Sequence, residues 1–327
     1  MRWRTLKELR KLYSTGRQPC VTSSASDGPY YRLLSMAGAC CTNIVSPHRV
    51  EVNGKHKRQQ SSVANDHPAK WGYRDESDQL GPSQWKTQYP AANGQHQSPI
   101  DLKDQLVNRR GRYGPIMTKL AHENSYLAEN NGHTVKFTPK TDLVNEITGG
   151  PLTEVYRLDQ FHFHWGQHNH EGSEHQLNSH AYAAEAHFVF VNTDLYCNED
   201  NPASKERGLA VLGVLLQVGD HGNEELYKLV ECFKDITLPG QQAKVEKINI
   251  SSLFPEQKDY YTYNGSLTTP PCYESVTWSV FHHPITISPP QLDEFRKLLN
   301  EHNHQIAPNF RPIQEMNGRL LCRSFIV

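Results

Sequence analysis

Apolar residues in this chain come mostly in short alternating runs separated by Gly, Pro and Asn turns. Residues 158–165, 181–191, 209–218 and 275–281, each rich in Val, Phe, Tyr or Leu, read as strands. Two segments carry a helical period instead. Residues 223–236 place Leu226, Leu229, Val230 and Phe233 on one face; residues 289–303 follow Ser288, open on proline, and line up Leu292, Phe295, Leu298 and Leu299. Many strands with few helices predict an α+β, β-dominated fold, a single domain with helices packed outside the sheet.

The pattern begins near residue 67, which divides the 327 residues into a basic extension, 1–66, and a domain, 67–327. The net charge of −1 conceals this division. Residues 1–66 hold eleven Lys/Arg and four Asp/Glu, a balance of +7, so the remainder sums to −8. Trp3, Leu6, Leu9 and Tyr13 share a helical face among Arg2, Arg4, Lys7, Arg10 and Lys11. A basic amphipathic start before a Ser/Thr-rich stretch is the composition of an organelle transit peptide; a disordered basic tail is the plainer reading. A secretory signal fits less well, because the best apolar run, residues 33–41, is short, broken by Ser35, and deep in the chain. No stretch has the roughly 20 apolar residues of a membrane span, so no membrane partner is expected. Near-neutral charge argues against nucleic acid as a partner. Seven cysteines without a Cys-x-x-Cys pair exclude a cysteine zinc finger, and the odd count favours a reducing compartment.

Eighteen histidines are the unusual entry in the composition. In Gln160-Phe161-His162-Phe163-His164-Trp165, strand alternation sends His162 and His164 to one face and Phe161 and Phe163 to the other. The two imidazoles lie roughly 7 Å apart by strand rise, close enough to share an ion. Glu185-Ala186-His187, inside another strand, is the candidate for a third ligand. Three nitrogens with an open fourth position are the layout of a catalytic zinc rather than a closed structural one. A strand histidine is nonetheless more often a hydrogen-bonded structural residue. A second group, His168, His170, His175 and His180, lies in a polar Gly- and Asn-containing stretch that reads as a loop with solvated histidines. There, residues 170–175 approach a zinc-protease helix but have Glu174 where the second histidine belongs, and Gly172 weakens the helix.

Beyond these spacings, Gln160-Phe161-His162-Phe163-His164-Trp165-Gly166, Gly172-Ser173-Glu174-His175, Ala184-Glu185-Ala186-His187 and Gly265-Ser266-Leu267-Thr268-Thr269-Pro270-Pro271 resemble the signature segments of the α-class carbonic anhydrases. Supporting matches, in the family's order, include Trp71-Gly72-Tyr73, Gln97-Ser98-Pro99-Ile100, Asn130-Asn131-Gly132-His133 and Asn309-Phe310-Arg311-Pro312. The resemblance covers residues 67–327. It implies a roughly ten-stranded, mostly antiparallel central sheet with one Zn²⁺ per chain at the bottom of a conical cleft. It also implies reversible hydration of carbon dioxide to bicarbonate and a proton by zinc-hydroxide attack. On this resemblance His162, His164 and His187 match the zinc ligands, oriented by Gln160, by the carbonyl of Asn309 and by Glu185 respectively. Thr268 would donate to Glu174 and thereby orient the nucleophile, while Thr268 and Thr269 line the substrate site. Val189, Val211, Leu267, Val276 and Trp278 match the apolar wall for carbon dioxide. His133 matches the proton shuttle, and Tyr73 and Asn131 the residues that hold its water chain.

Departures from the family pattern also carry expectations. Lys136, Phe137 and Thr138 occupy the cleft wall beyond the shuttle, which puts a cation where other members differ. Cys272 matches half of a disulfide of secreted members, but the partner stretch reads Ala91-Ala92-Asn93-Gly94. An intracellular protein follows, mitochondrial on the basic start or otherwise cytoplasmic. No lipid anchor is indicated at Val327. The expected partners are carbon dioxide and bicarbonate, acting on a monomer. The alternative function is a catalytically silent binding domain of the same fold; intact His162, His164 and His187 argue for the enzyme.

Overall fold

The computed structural model describes residues 70–75, 79–196 and 201–326, all within the compact unit Ala64–Val327. The basic segment 1–66, with its transit-peptide reading, lies outside the described residues.

Val, Phe and Tyr recurring at every second position build one dominant sheet. Among the described residues it holds thirteen strands, ten of them in a continuous path. Across the sheet these run Gln242–Ile248, Asn124–Asn130, Val135–Pro139, Leu152–Trp165, Ala184–Asn192, Leu209–Val218, Val276–Phe281, Tyr260–Gly265, Leu321–Arg323 and Val107–Arg112. Leu209–Val218 pairs in parallel with Val276–Phe281, as does Leu321–Arg323 with Val107–Arg112. The other pairings along this path are antiparallel. The ten-stranded, mostly antiparallel expectation therefore holds.

Three of the four sequence-predicted strands shift at an end. The 158–165 segment is the second half of a longer strand starting at Leu152. The strand expected from residue 181 begins at Ala184, because the Tyr182 carbonyl accepts from the Ser173 amide at 2.8 Å and is spent on the neighbouring loop. The strand expected from Ser275 begins at Val276.

Both helices are shorter than their apolar period. Asn223 caps Glu224–Val230 by accepting from the Glu225 and Leu226 amides, after which the chain tightens into a 3₁₀ turn, Phe233–Asp235. That turn brings Phe233 edge-on to Phe295, with centroids 4.9 Å apart. The second helix, Pro289–Arg296, keeps the expected Ser288 start. It stops before Leu299, whose amide donates to the Thr237 carbonyl at 2.9 Å instead.

The sheet separates two apolar clusters. One holds Phe137, Phe161, Phe163 and Phe188 with the helical residues Leu226, Leu229, Phe233, Leu292 and Phe295. The other holds Val189, Val211, Val276, Trp278 and Val280. Phe161 stacks between Phe137 and Phe188, at centroid distances of 4.7 and 5.2 Å, and is fully buried. Its replacement in Phe161→Ala is expected to cost about 3–5 kcal/mol in urea unfolding. A loss below 1 kcal/mol would mean this stack does not anchor the strand.

Candidate metal centre

His162 and His187 face each other directly across the antiparallel pair, as do His164 and Glu185. Residues opposite one another in a ladder share a face, so the strand period and the register together bring three imidazoles into one space. Their ring centroids are separated by 5.1, 5.3 and 4.6 Å, and one donor atom from each lies within 4.8 Å of the others. His164 and His187 are almost wholly buried, at 1% exposure each.

Each ring has its second nitrogen fixed. His162 Nδ1 donates to Gln160 Oε1 at 2.9 Å, His164 Nδ1 donates to the Asn309 carbonyl at 2.8 Å, and His187 Nε2 donates to Glu185 Oε1 at 2.9 Å. These bonds leave Nε2 of His162, Nε2 of His164 and Nδ1 of His187 for the common space. Burial and the neighbouring imidazoles hold His162 well below its ordinary pKa and His164 at about 3, so both rings are neutral donors.

Two buried atoms test whether a metal fits. His164 Nε2 and Glu174 Oε2 have no partner that meets hydrogen-bond geometry, although they lie 3.5 Å apart. Buried polar atoms are rarely left unmatched. A dication with a water ligand is the chemistry that would satisfy a neutral imidazole nitrogen and a carboxylate oxygen aimed at one another. Three nitrogens with an open side suit zinc.

A eukaryotic-type carbonic anhydrase family model matches residues 80–325. The chain is also 39% identical to carbonic anhydrase 1 of the mouse, Mus musculus, over 263 residues, which is 79% of this chain and 99% of that protein.

The chain belongs to the eukaryotic-type carbonic anhydrases.

This family is in general zinc-dependent and hydrates carbon dioxide, and carbonic anhydrase activity is assigned to the chain on that membership. In this carbonic anhydrase, Glu174 is buried beside the histidines and accepts from the Arg311 amide at 2.8 Å through Oε1. Burial pushes its carboxyl up to about 7, against His187, the Thr268 hydroxyl and the Arg311 amide, which all favour the charged form. Thr268 is buried, and Thr269 beside it accepts from the Cys272 amide at 2.9 Å, closing the rigid Pro-Pro turn. Cys272 is a free, buried thiol.

Val189 faces Val211, and Val211 faces Trp278, across three adjacent strands. Val276 is buried in the same cluster, and Leu267 packs against it. The Trp278 ring approaches His187 edge-on at 4.8 Å. All five expected wall residues therefore belong to one apolar surface.

His133 stacks on Trp71 at 3.8 Å between centroids, with the rings 13° from parallel. In that position burial lowers its pKa to about 4. Tyr73 packs edge-on to Trp71 and Trp85; burial and the nearby Glu174 charge raise its phenol well above the ordinary value. Asn131 Oδ1 accepts from the His133 and Thr134 amides at 3.0 and 2.9 Å, so this oxygen shapes the turn that carries His133.

One expectation from sequence is corrected. His168, His170 and His180 are exposed, as a loop implies, but His175 is completely buried. Its Nδ1 and its backbone amide both donate to Glu185, each at 2.7 Å, while Nε2 lies 2.7 Å from the Tyr263 hydroxyl. Tyr263 in turn lies 2.8 Å from Ser98 Oγ. Burial would raise the Glu185 carboxyl, but His175 and His187 together hold it well below the usual range. The backbone of Gly172, at φ +141°, allows this close loop, because a Cβ there would meet the Ala183 carbonyl oxygen at 2.0 Å.

The supporting role of Arg311 also escaped the sequence reading. Its buried guanidinium donates to Gln97 Oε1 and the Ser98 carbonyl, and lies over the Trp85 ring. The segments containing Gln97, Ser98 and Arg311 were visible as motifs, and that was the available signal. His175→Ala strips the shared carboxylate of one imidazole and is expected to cost about 3–5 kcal/mol in urea unfolding of metal-free protein. Stability within 1 kcal/mol of wild type would show that Glu185 does not need His175.

Proposed function

We propose that this carbonic anhydrase converts carbon dioxide to bicarbonate and a proton on one zinc ion held by His162, His164 and His187, with His133 moving the proton. The observation that carries this is the pair of unmatched buried atoms, His164 Nε2 and Glu174 Oε2, facing the space where three imidazoles converge. Zinc in such a site supplies a hydroxide nucleophile near neutral pH, as is general for carbonic anhydrases.

The protein's own residues do the rest. Gln160, Asn309 and Glu185 lock the ring planes and tautomers. With a dication's charge beside it Glu174 would be ionised despite its burial, and Thr268, donating to it, would then only accept a hydrogen bond from the nucleophile and aim its free lone pair at the substrate carbon. Carbon dioxide is apolar, so Val189, Val211, Leu267, Val276 and Trp278 offer it a dry wall rather than a polar clamp. Thr269 completes the turn beside the substrate.

His133 must leave the Trp71 stack to work. A ring held at about 4 is neutral at physiological pH and a poor proton acceptor, whereas a solvated ring returns toward its ordinary value. On the family resemblance, Tyr73 and Asn131 would order the water between His133 and the histidine cluster.

Mass spectrometry should find one zinc per chain, and stopped-flow assays should find carbon dioxide hydration; zinc-loaded but inactive protein would indicate a silent binding domain. His164→Ala should lose zinc. His133→Ala should slow steady-state hydration in weak buffer by about tenfold or more, with imidazole restoring it. Unchanged turnover in weak buffer would remove His133 as the principal shuttle. For the basic segment, a full chain with a C-terminal reporter should be imported into mitochondria and cleaved within residues 1–66; an intact diffuse protein refutes import.

A further inference from the structure

The sheet register places a charged pair in line with the metal centre. Reading across five adjacent strands, Gln242 faces Glu129, Glu129 faces Lys136, Lys136 faces His162, and His162 faces His187. Directly opposed residues share a face, so Lys136 stands on the cleft side, one strand from a histidine of the centre. Lys136 is 22% exposed and Glu129 26%, with Nζ 3.0 Å from Glu129 Oε2. The ladder also skips Asp159, where the register shifts beside Val189.

A lysine here is unexpected on simple electrostatic grounds. The neighbouring centre suits a dication, and a second cation beside it is repelled unless something compensates. Glu129 compensates in the resting cleft, but the pair is only half-buried, and the ammonium keeps donors free for a second acceptor. The feature gained is a positive charge on the otherwise polar side of the cleft, opposite the apolar wall of Val211 and Trp278. Of the two species this reaction interconverts, only bicarbonate responds to such a charge.

We propose that Lys136 is a specificity-determining residue that draws small monovalent anions, bicarbonate among them, into the cleft, with Glu129 setting how much of its charge they feel. The inference rests on the function proposed above. Lys136 and Glu129 then act oppositely: removing the cation weakens anion binding, and removing its counter-charge strengthens it. A lysine that only braces the sheet has no such signature, because losing either partner breaks the same ion pair.

The test uses the full chain with cobalt in place of zinc and follows the visible spectrum during thiocyanate titration, alongside the KM for bicarbonate in the dehydration direction. Lys136→Met should raise the thiocyanate Kd and the bicarbonate KM by about three- to tenfold, the size of one partly screened charge. Lys136→Arg should stay within about twofold of wild type, and Glu129→Gln should lower the thiocyanate Kd by about two- to threefold. A thiocyanate Kd for Lys136→Met within twofold of wild type, or a shift of Glu129→Gln in the same direction as Lys136→Met, overturns the inference. Failure of the unmodified chain to take up cobalt or hydrate carbon dioxide would instead remove the enzyme assignment itself.

Discussion

Phe161 and Phe163 cannot leave the aromatic core without moving His162 and His164, because all four alternate along one strand. Phe161 is clamped between Phe137 and Phe188, and Phe163 packs edge-on to Phe295 at 5.0 Å. The dispersion and burial energy of that core holds the two imidazoles on the opposite face within a narrow range of positions. A one-residue slip would exchange phenyl rings for imidazoles on both faces at once, so register, core and site are specified together. The neighbouring strand obeys the same rule: Phe188 and Phe190 enter the aromatic core while His187 and Val189 face the cleft.

The charges around the centre are arranged behind the imidazoles. Glu185 gathers His187 Nε2, His175 Nδ1 and the His175 amide around one buried carboxylate. That bonding recovers the desolvation cost of burying the charge and fixes the His187 ring. Gly213 lies opposite His187 on the next strand, and even a Cβ there would meet Glu185 Oε1 at 3.0 Å. Glu174 differs. Its Oε1 is held by the Arg311 amide, but Oε2 is left aimed at His164. One carboxylate is fully spent on structure, while the other keeps an unmatched buried oxygen.

The sequence carried the site further than the boundaries of its elements. His162, His164 and His187 were legible because a strand period of two turns spacing directly into facing, and the family segments named Gln160, Glu185 and Asn309 beside them. The helix ends were less legible. Leu298 and Leu299 continue the apolar period of the second helix, but a hydrogen bond from the Leu299 amide to Thr237, distant in sequence, stops it. His175 was misplaced for a related reason. Local polarity around Gly172 and Asn178 does predict a loop, but that loop folds inward because Glu185 needs a second imidazole. A partner on another element decides whether a loop histidine is solvated or buried, and no local pattern records it. The Trp71 stack on His133 joins residues 62 positions apart in the same way.

The two flanks of the centre carry opposite charge. Beyond His187 lie the buried carboxylates of Glu185 and Glu174, and beyond His162 lies the Lys136 ammonium with its half-exposed counter-ion. Under the proposed function an anion formed between them would be repelled from the Glu185 side and drawn toward the more exposed Lys136 side. On the same proposal the neutral substrate would feel neither force and would meet only the apolar wall. Separate surfaces for the neutral and charged partners of one equilibrium let the affinity for each be set independently. A lysine is tolerated one strand from a cation site because Glu129 offsets its charge locally, with Nζ 3.0 Å from Oε2.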